Sequence, residues 1–214
     1  MCNTPEDLNL NGINTVAIDI ETYDPNLKTK GLGAIRKDGF ICGIAVATEN
    51  DLAYFPLRHS DTDIDYERID KIWQVLNDKI FQNEKITKVF HNAIYDVCWL
   101  RAMGFKINGD IACTMIAAAL TDENRFRYDL NSLSWHYLGY GKNEAALAEA
   151  AEEWGIDPKS EMYKLPAMHV GAYAERDAEV TLGLWQEMKK EIISQDLEDI
   201  FDLESATLNP FGNI

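Results

Sequence analysis

The order of apolar runs along these 214 residues predicts an α/β fold, one mixed sheet with helices packed on it. Three observations carry that class. Strand-like runs come first, a short strand then stands between helix-like stretches, and the remainder of the chain is helical. Hydrophobic residues make up 46% of the chain, enough for a globular core. The length suits one domain, with no internal repeat and no Pro/Gly-rich linker.

Residues 15–20, 40–48 and 51–56 read as strands, and Glu49-Asn50 reads as a tight hairpin turn between the last two. Residues 61–81 read as a helix, with Ile64, Ile69, Ile72, Trp73, Leu76 and Ile80 supplying its apolar positions. Residues 86–91 form a short strand. A helical pattern starts at Ala93, and Gly104 stops it. Residues 110–120 and 131–138 read as two further helices, and residues 144–154 as an Ala/Glu-rich one. After an irregular stretch over 158–166, a long helix is expected over 167–193.

Composition bounds the function. No stretch approaches the roughly 20 apolar residues of a membrane span. Residues 1–7 lack the basic and apolar regions of a signal peptide. The four cysteines, at 2, 42, 98 and 113, show no CxxC and no zinc spacing, and Cys42, Cys98 and Cys113, in apolar segments, read as small core residues. A reducing cytoplasm is the expected compartment. The net charge of -16 argues against a generic nucleic-acid binder, because phosphate recognition normally leaves a basic footprint. The acidic runs over 144–153 and 196–204 read as solvated helix faces.

Two carboxylates end the first apolar strand, in Thr15-Val16-Ala17-Ile18-Asp19-Ile20-Glu21-Thr22. Alternate side chains of a strand share a face, so Val16, Ile18 and Ile20 point one way and Asp19 and Glu21 the other, leaving the strand roughly 7 Å apart. Like charges on a buried strand are costly unless a cation joins them. In the last long helix, Val170, Tyr173, Asp177, Val180, Leu184 and Met188 fall on one stripe, which Asp177 interrupts. Alone, Asp177 is explained by a bond to a backbone amide or to Arg176. Asp96 sits among apolar neighbours after Phe90-His91-Asn92-Ala93-Ile94-Tyr95, and alone it is explained as an acid favoured by a helix N-terminus. Four acids on three apolar elements are harder to explain as unrelated exceptions. Oxygen-only ligands select Mg²⁺ or Mn²⁺. A pair of such ions about 4 Å apart can activate water and stabilise a leaving oxygen in phosphodiester cleavage.

Asp19-Ile20-Glu21, His91-Asn92-Ala93-Ile94-Tyr95-Asp96 and Tyr173-Ala174-Glu175-Arg176-Asp177 resemble the three exonuclease motifs of the DEDD superfamily. The tyrosine four residues before the last aspartate marks the DEDDy branch. The similarity, over about residues 13–193, is to the 3′–5′ proofreading domain of family A DNA polymerases of a phage or bacterial kind. It implies a ribonuclease H-like fold with a mixed five-stranded sheet flanked by helices. Only four strands are clear in the sequence, so the fifth is expected at residues 32–35 or inside the second strand segment. Residues 1–12 would be a tail, and residues 194–214 a helical segment leading toward a polymerase domain absent here.

The resemblance also implies roles. Asp19 bridges two divalent ions, Mg²⁺ or Mn²⁺. Glu21 and Asp177 complete the site of the ion holding the attacking water, Asp96 holds the second through water, and Tyr173 positions the nucleophilic water. Asn92 and Tyr95 match positions near the single-stranded substrate. Thr22 is a candidate contact to the terminal nucleotide and Leu27 a candidate wedge against the last base. Ordinary packing explains Tyr95 and Leu27 equally well, and His91 reads as a strand-end histidine making a local hydrogen bond. The expected partners are a single-stranded DNA 3′ end and a DNA polymerase domain or subunit, with no membrane and a monomeric isolated domain. The rivals are an RNase D-like 3′–5′ exoribonuclease, which shares the motifs, and a catalytically silent docking module of a replication complex.

Overall fold

Val16, Ile18 and Ile20 bury themselves in one apolar cluster and Ala17 in another. The strand that carries them, β1 (Thr15–Tyr23), is therefore covered on both faces, with Val16, Ile18 and Ile20 sharing one of them as the alternation predicts. The computed structural model describes residues 4–61, 65–142 and 144–208. Within them β1 joins β2 (Phe40–Ala47), β3 (Leu52–Pro56), β4 (Thr87–Phe90) and β5 (Ile111–Cys113) in one sheet of order β3-β2-β1-β4-β5. The β1–β2 and β2–β3 pairs are antiparallel, and β1–β4 and β4–β5 are parallel. The hairpin turn falls at Glu49-Asn50, where the Thr48 hydroxyl accepts from the amides of Asn50 and Asp51.

The fifth strand is at neither expected place. Residues 33–36 form a helical turn, and the strand is Ile111–Cys113, which had been expected to open a helix. Three residues are too few to show an alternation. Their extended shape comes from pairing Ile111, Ala112 and Cys113 with Lys88, Val89 and Phe90.

Two short turns, α1 (Leu27–Lys30) and α2 (Gly33–Arg36), follow β1. Next, α3 (Tyr66–Leu76) starts where Asp65 accepts the Arg68 amide, and runs into a π-helical turn, Asn77–Phe81. Residues 62–64 of the helix expected over 61–81, Ile64 among them, lie outside the described residues. The remaining helices are α4 (Ala93–Ala102), α5 (Thr114–Thr121), α6 (Leu130–Leu138), α7 (Glu144–Trp154), α8 (Ala167–Ser194) and α9 (Glu198–Ala206). No helix among the described residues is long and apolar enough to cross a membrane.

The two faces of the sheet are built differently. On one, Val16, Ile18, Ile20, Ile44, Val46 and Phe55 meet Ile69, Ile72 and Leu76 of α3 and Val97 and Leu100 of α4. On the other, the sheet offers small side chains, Ala17, Ala45, Ala47 and Ala112, to Ala174 and Ala178 of α8. Small residues on both surfaces let a helix lie close to a sheet. That close approach brings Asp177, between the two helix alanines, toward Asp19 and Glu21.

Candidate active site

Asp19 and Glu21 leave β1 on the face that α8 covers, where the two carboxyl groups perturb each other. Just beyond Glu21 the register of β1 against β2 shifts: Glu21 faces Gly43 and Thr22 faces Ile41. Such an irregularity bends a strand and re-aims the side chains after it. Here it falls at the end of the acidic segment. Asp177 arrives from α8 on the predicted stripe, with Val170, Val180, Leu184 and Met188 all buried.

Asp96 comes from the first turn of α4. The pairing of β1 with β4 ends at Ala17 and Val89, so β1 continues without that neighbour. Asp96 Oδ1 accepts the Ile20 amide at 3.2 Å in the space that follows. The helix-terminus explanation is correct about its position and incomplete about its work, because Asp96 also pairs a buried backbone donor.

The four acids feel one another. Glu21, Asp96 and Asp177 are 7%, 6% and 3% exposed, while Asp19 keeps partial access to solvent. Burial and then the Asp177 charge push Asp19 up to about 8. Burial and then Asp19 raise Glu21 and Asp96 well above the carboxylate range. Burial raises Asp177 too, against the pull of Lys142. Mutual destabilisation of this kind is relieved by a proton or a cation.

That cation is partly supplied by a residue no motif announced. Lys142 Nζ lies 2.6 Å from Asp177 Oδ2 and donates to the Tyr173 hydroxyl at 2.7 Å. Sequence reasoning offered Arg176 as the partner of Asp177, but Arg176 pairs with Glu179 at 2.6 Å. Lys142 lies in the loop after α6, where one lysine behind Gly139-Tyr140-Gly141 carries no spacing signal.

Three further observations bear on a metal. The donor set is all carboxylate, which suits a hard divalent ion. Asp177 Oδ1 is buried without a hydrogen-bond partner. Among the described residues, however, no three His, Cys, Asp or Glu side chains are gathered closely enough to hold an ion as they stand. The residue types fit the group.

The other candidates are placed as follows. Tyr173 lies one turn before Asp177 on α8, and burial and Asp177 raise its hydroxyl above the phenol range. The Thr22 and Tyr95 hydroxyls bond each other at 2.5 Å, and Tyr95 also packs against the core. Asn92 is exposed at φ 57 at the junction of β4 and α4. Leu27 stands 41% exposed on α1, outside the packed clusters. His91 Nδ1 bonds the Thr114 hydroxyl at 2.8 Å, the local bond expected of it, and burial pushes its pKa down to about 4.

The model of the 3′–5′ exonuclease of family A DNA polymerases matches residues 3–193. The chain belongs to this 3′–5′ exonuclease family. The chain is 34% identical over 205 residues to a DNA-directed DNA polymerase of Pseudomonas phage M6, covering 92% of this chain and 30% of that protein. It thus spans less than a third of the length of the curated phage polymerases it matches. Solved structures show the same ribonuclease H-like fold. Escherichia coli RNase D, described as an exoribonuclease involved in structured RNA processing, superposes with a TM-score of 0.67 at 15% identity, over 96% of this chain and 47% of its own. Brucella melitensis NrnC with bound Mg²⁺ gives 0.65 at 18% identity, over 94% and 85%.

Proposed function

We propose that this exonuclease hydrolyses the terminal phosphodiester at the 3′ end of single-stranded DNA, releases nucleoside 5′-monophosphates, and proofreads for a DNA polymerase. The observation that carries the reading is the meeting of Asp19, Glu21, Asp96 and Asp177, from three separate elements, beside the Tyr173 hydroxyl. A silent docking module has no use for four mutually repelling acids. The RNA rival shares the fold, but the phage relatives are DNA polymerases, and this favours DNA. Residues 13–193 would form the exonuclease unit, and residues 194–214 would lead toward a polymerase domain.

Asp19, Glu21 and Asp177 would hold one divalent ion, Mg²⁺ or Mn²⁺, and Asp19 with Asp96 a second. Two such ions, when bound, activate a water and stabilise a leaving oxygen. Tyr173 would orient the nucleophilic water with its hydroxyl. The water oxygen bonds to the terminal phosphorus, the bond from phosphorus to the 3′ oxygen breaks, and that oxygen keeps the electron pair. Asn92, Tyr95 and Thr22 would contact the last nucleotides, with Leu27 a candidate wedge at the terminal base. Positioning and charge stabilisation supply most of the rate gain.

The test is a digestion series on 5′-labelled DNA and RNA strands of one sequence, with Mg²⁺ and with EDTA. A ladder descending from the 3′ end on DNA, abolished by EDTA, is expected. A ladder on RNA alone would select the exoribonuclease, and no ladder on either would leave the docking module. Tyr173→Phe is expected to slow cleavage on the order of 10²-fold, the scale of a misplaced reactant. Calorimetry should find its Mn²⁺ affinity close to the parent's. Loss of metal binding would make Tyr173 structural.

A further inference from the structure

We propose that Lys142 is a tethered competitor of the divalent ion: its ammonium takes the Asp177 position in the metal-free protein and surrenders it when the ion binds. This inference rests on the carboxylates forming a metal site, and goes beyond that reading by giving the metal-free state its own counter-cation.

Lys142 is aimed, not merely nearby. Its backbone amide donates to the Asn131 side chain of α6 at 3.2 Å. The carbonyl just before it, on Gly141, accepts from Arg176 Nε of α8 at 3.3 Å. The Arg176 guanidinium also lies 4.4 Å from the centre of the Tyr140 ring. A Cβ on Gly141 would come within 2.4 Å of Asn131 Oδ1 and 2.5 Å of Trp135 Nε1, so a larger residue would have to push both side chains aside. The loop is thus pinned to both helices, and the lysine side chain turns inward. There it lies 13% exposed, 4.8 Å from the centre of the Tyr173 ring.

Its charge is the one the site lacks. Lys142 opposes the carboxylate repulsion at Asp19, Glu21 and Asp177. A divalent ion on the unpartnered Asp177 Oδ1 would stand beside an ammonium already on Oδ2, and the repulsion of two cations at that range disfavours joint occupancy. The lysine has somewhere to go. Glu144, at the start of α7 and more exposed, has Oε1 3.8 Å from the same Nζ. A move toward Glu144 uncovers Asp177 and keeps the ammonium partnered.

The competition has a sign that a structural role lacks. Calorimetry with Mn²⁺ should find Lys142→Met binding the ion at least about tenfold more tightly than the parent, the scale of coupling between two ligands of one group. In EDTA the same variant should melt below the parent, having lost its internal counter-cation. Lys142→Arg, which keeps the charge, should return the affinity toward the parental value. Without any variant, acetylation of the native protein by an amine-reactive ester, read by peptide mass spectrometry, should rise at Lys142 when Mg²⁺ is added. Equal or weaker Mn²⁺ binding by Lys142→Met, or acetylation at Lys142 indifferent to Mg²⁺, overturns the competition while leaving the metal site standing. Absence of Mn²⁺ binding from parent and variant alike would instead remove the metal site, and the competition with it.

Discussion

Asp19→Ala is expected to lower nuclease activity by about 10³-fold or more while the domain stays folded, and to melt in EDTA at or above the parental temperature. The activity loss follows from position. Asp19 is the acid whose charge meets Glu21, Asp96 and Asp177 together, and it keeps access to solvent. Removal of one preorganised charge from such a site costs about 10²–10³ in rate, and Asp19 is proposed to serve two ions. The retained fold follows from the opposite property. Its carboxylate is destabilised by burial and by Asp177, so its removal relieves repulsion. The Ala17 contact with α8 remains, as does the Lys142–Asp177 pair. Asp96→Ala gives the contrast. It should also abolish cleavage, but it leaves the buried Ile20 amide without its acceptor, a loss of about 1–3 kcal/mol. Thermal melts beside single-strand digestion separate the two. Parental activity in Asp19→Ala would remove Asp19 from the reacting site, and a collapsed melt would make its role structural.

The parts of the molecule legible in the sequence are those where one periodicity governs many residues. The alternation of β1 placed Val16, Ile18 and Ile20 on one face and the two acids on the other. The stripe of α8 sets Asp177 among buried neighbours. What escaped is what periodicity does not encode. β5 is extended because it pairs with β4, a tertiary cause acting on three residues. Asp96 acts as an acceptor for Ile20 because β1 outruns its partner, which depends on register. Lys142 was invisible for a similar reason. Its place depends on Asn131 and Arg176 holding a glycine loop, two hydrogen bonds with no fixed offset between them. Sequence also named the right kind of partner for Asp177, a basic side chain, and the wrong one. Arg176 is adjacent in the chain but projects from another side of the helix, toward Glu179 and Tyr140.

In EDTA, stability is expected to fall as pH rises from about 4 to about 8, and a divalent ion should reverse the trend. The unfolded chain releases its carboxyl protons near pH 4. The native protein keeps one on Asp19 up to about 8, through burial and the neighbouring Asp177 charge, and Glu21, Asp96 and Asp177 shift the same way. Over that window the native state binds more protons than the unfolded state, so unfolding becomes easier as pH rises. A metal ion competes for the same oxygens, so its stabilisation should be small near pH 5 and large near pH 8. At a hundredfold excess over its dissociation constant it is worth about 2.7 kcal/mol. The net charge of -16 offers a rival cause, since self-repulsion also grows with pH. Asp19→Asn distinguishes them. It changes the overall charge by one unit and removes the group with the long titration window. General repulsion would leave the slope of melting temperature against pH almost unchanged, whereas the clustered acids require it to flatten between pH 5 and 8. The variant should also lose most of the shift on adding Mg²⁺. A parental slope together with a parental Mg²⁺ shift in Asp19→Asn would show that these carboxylates do not act as one group.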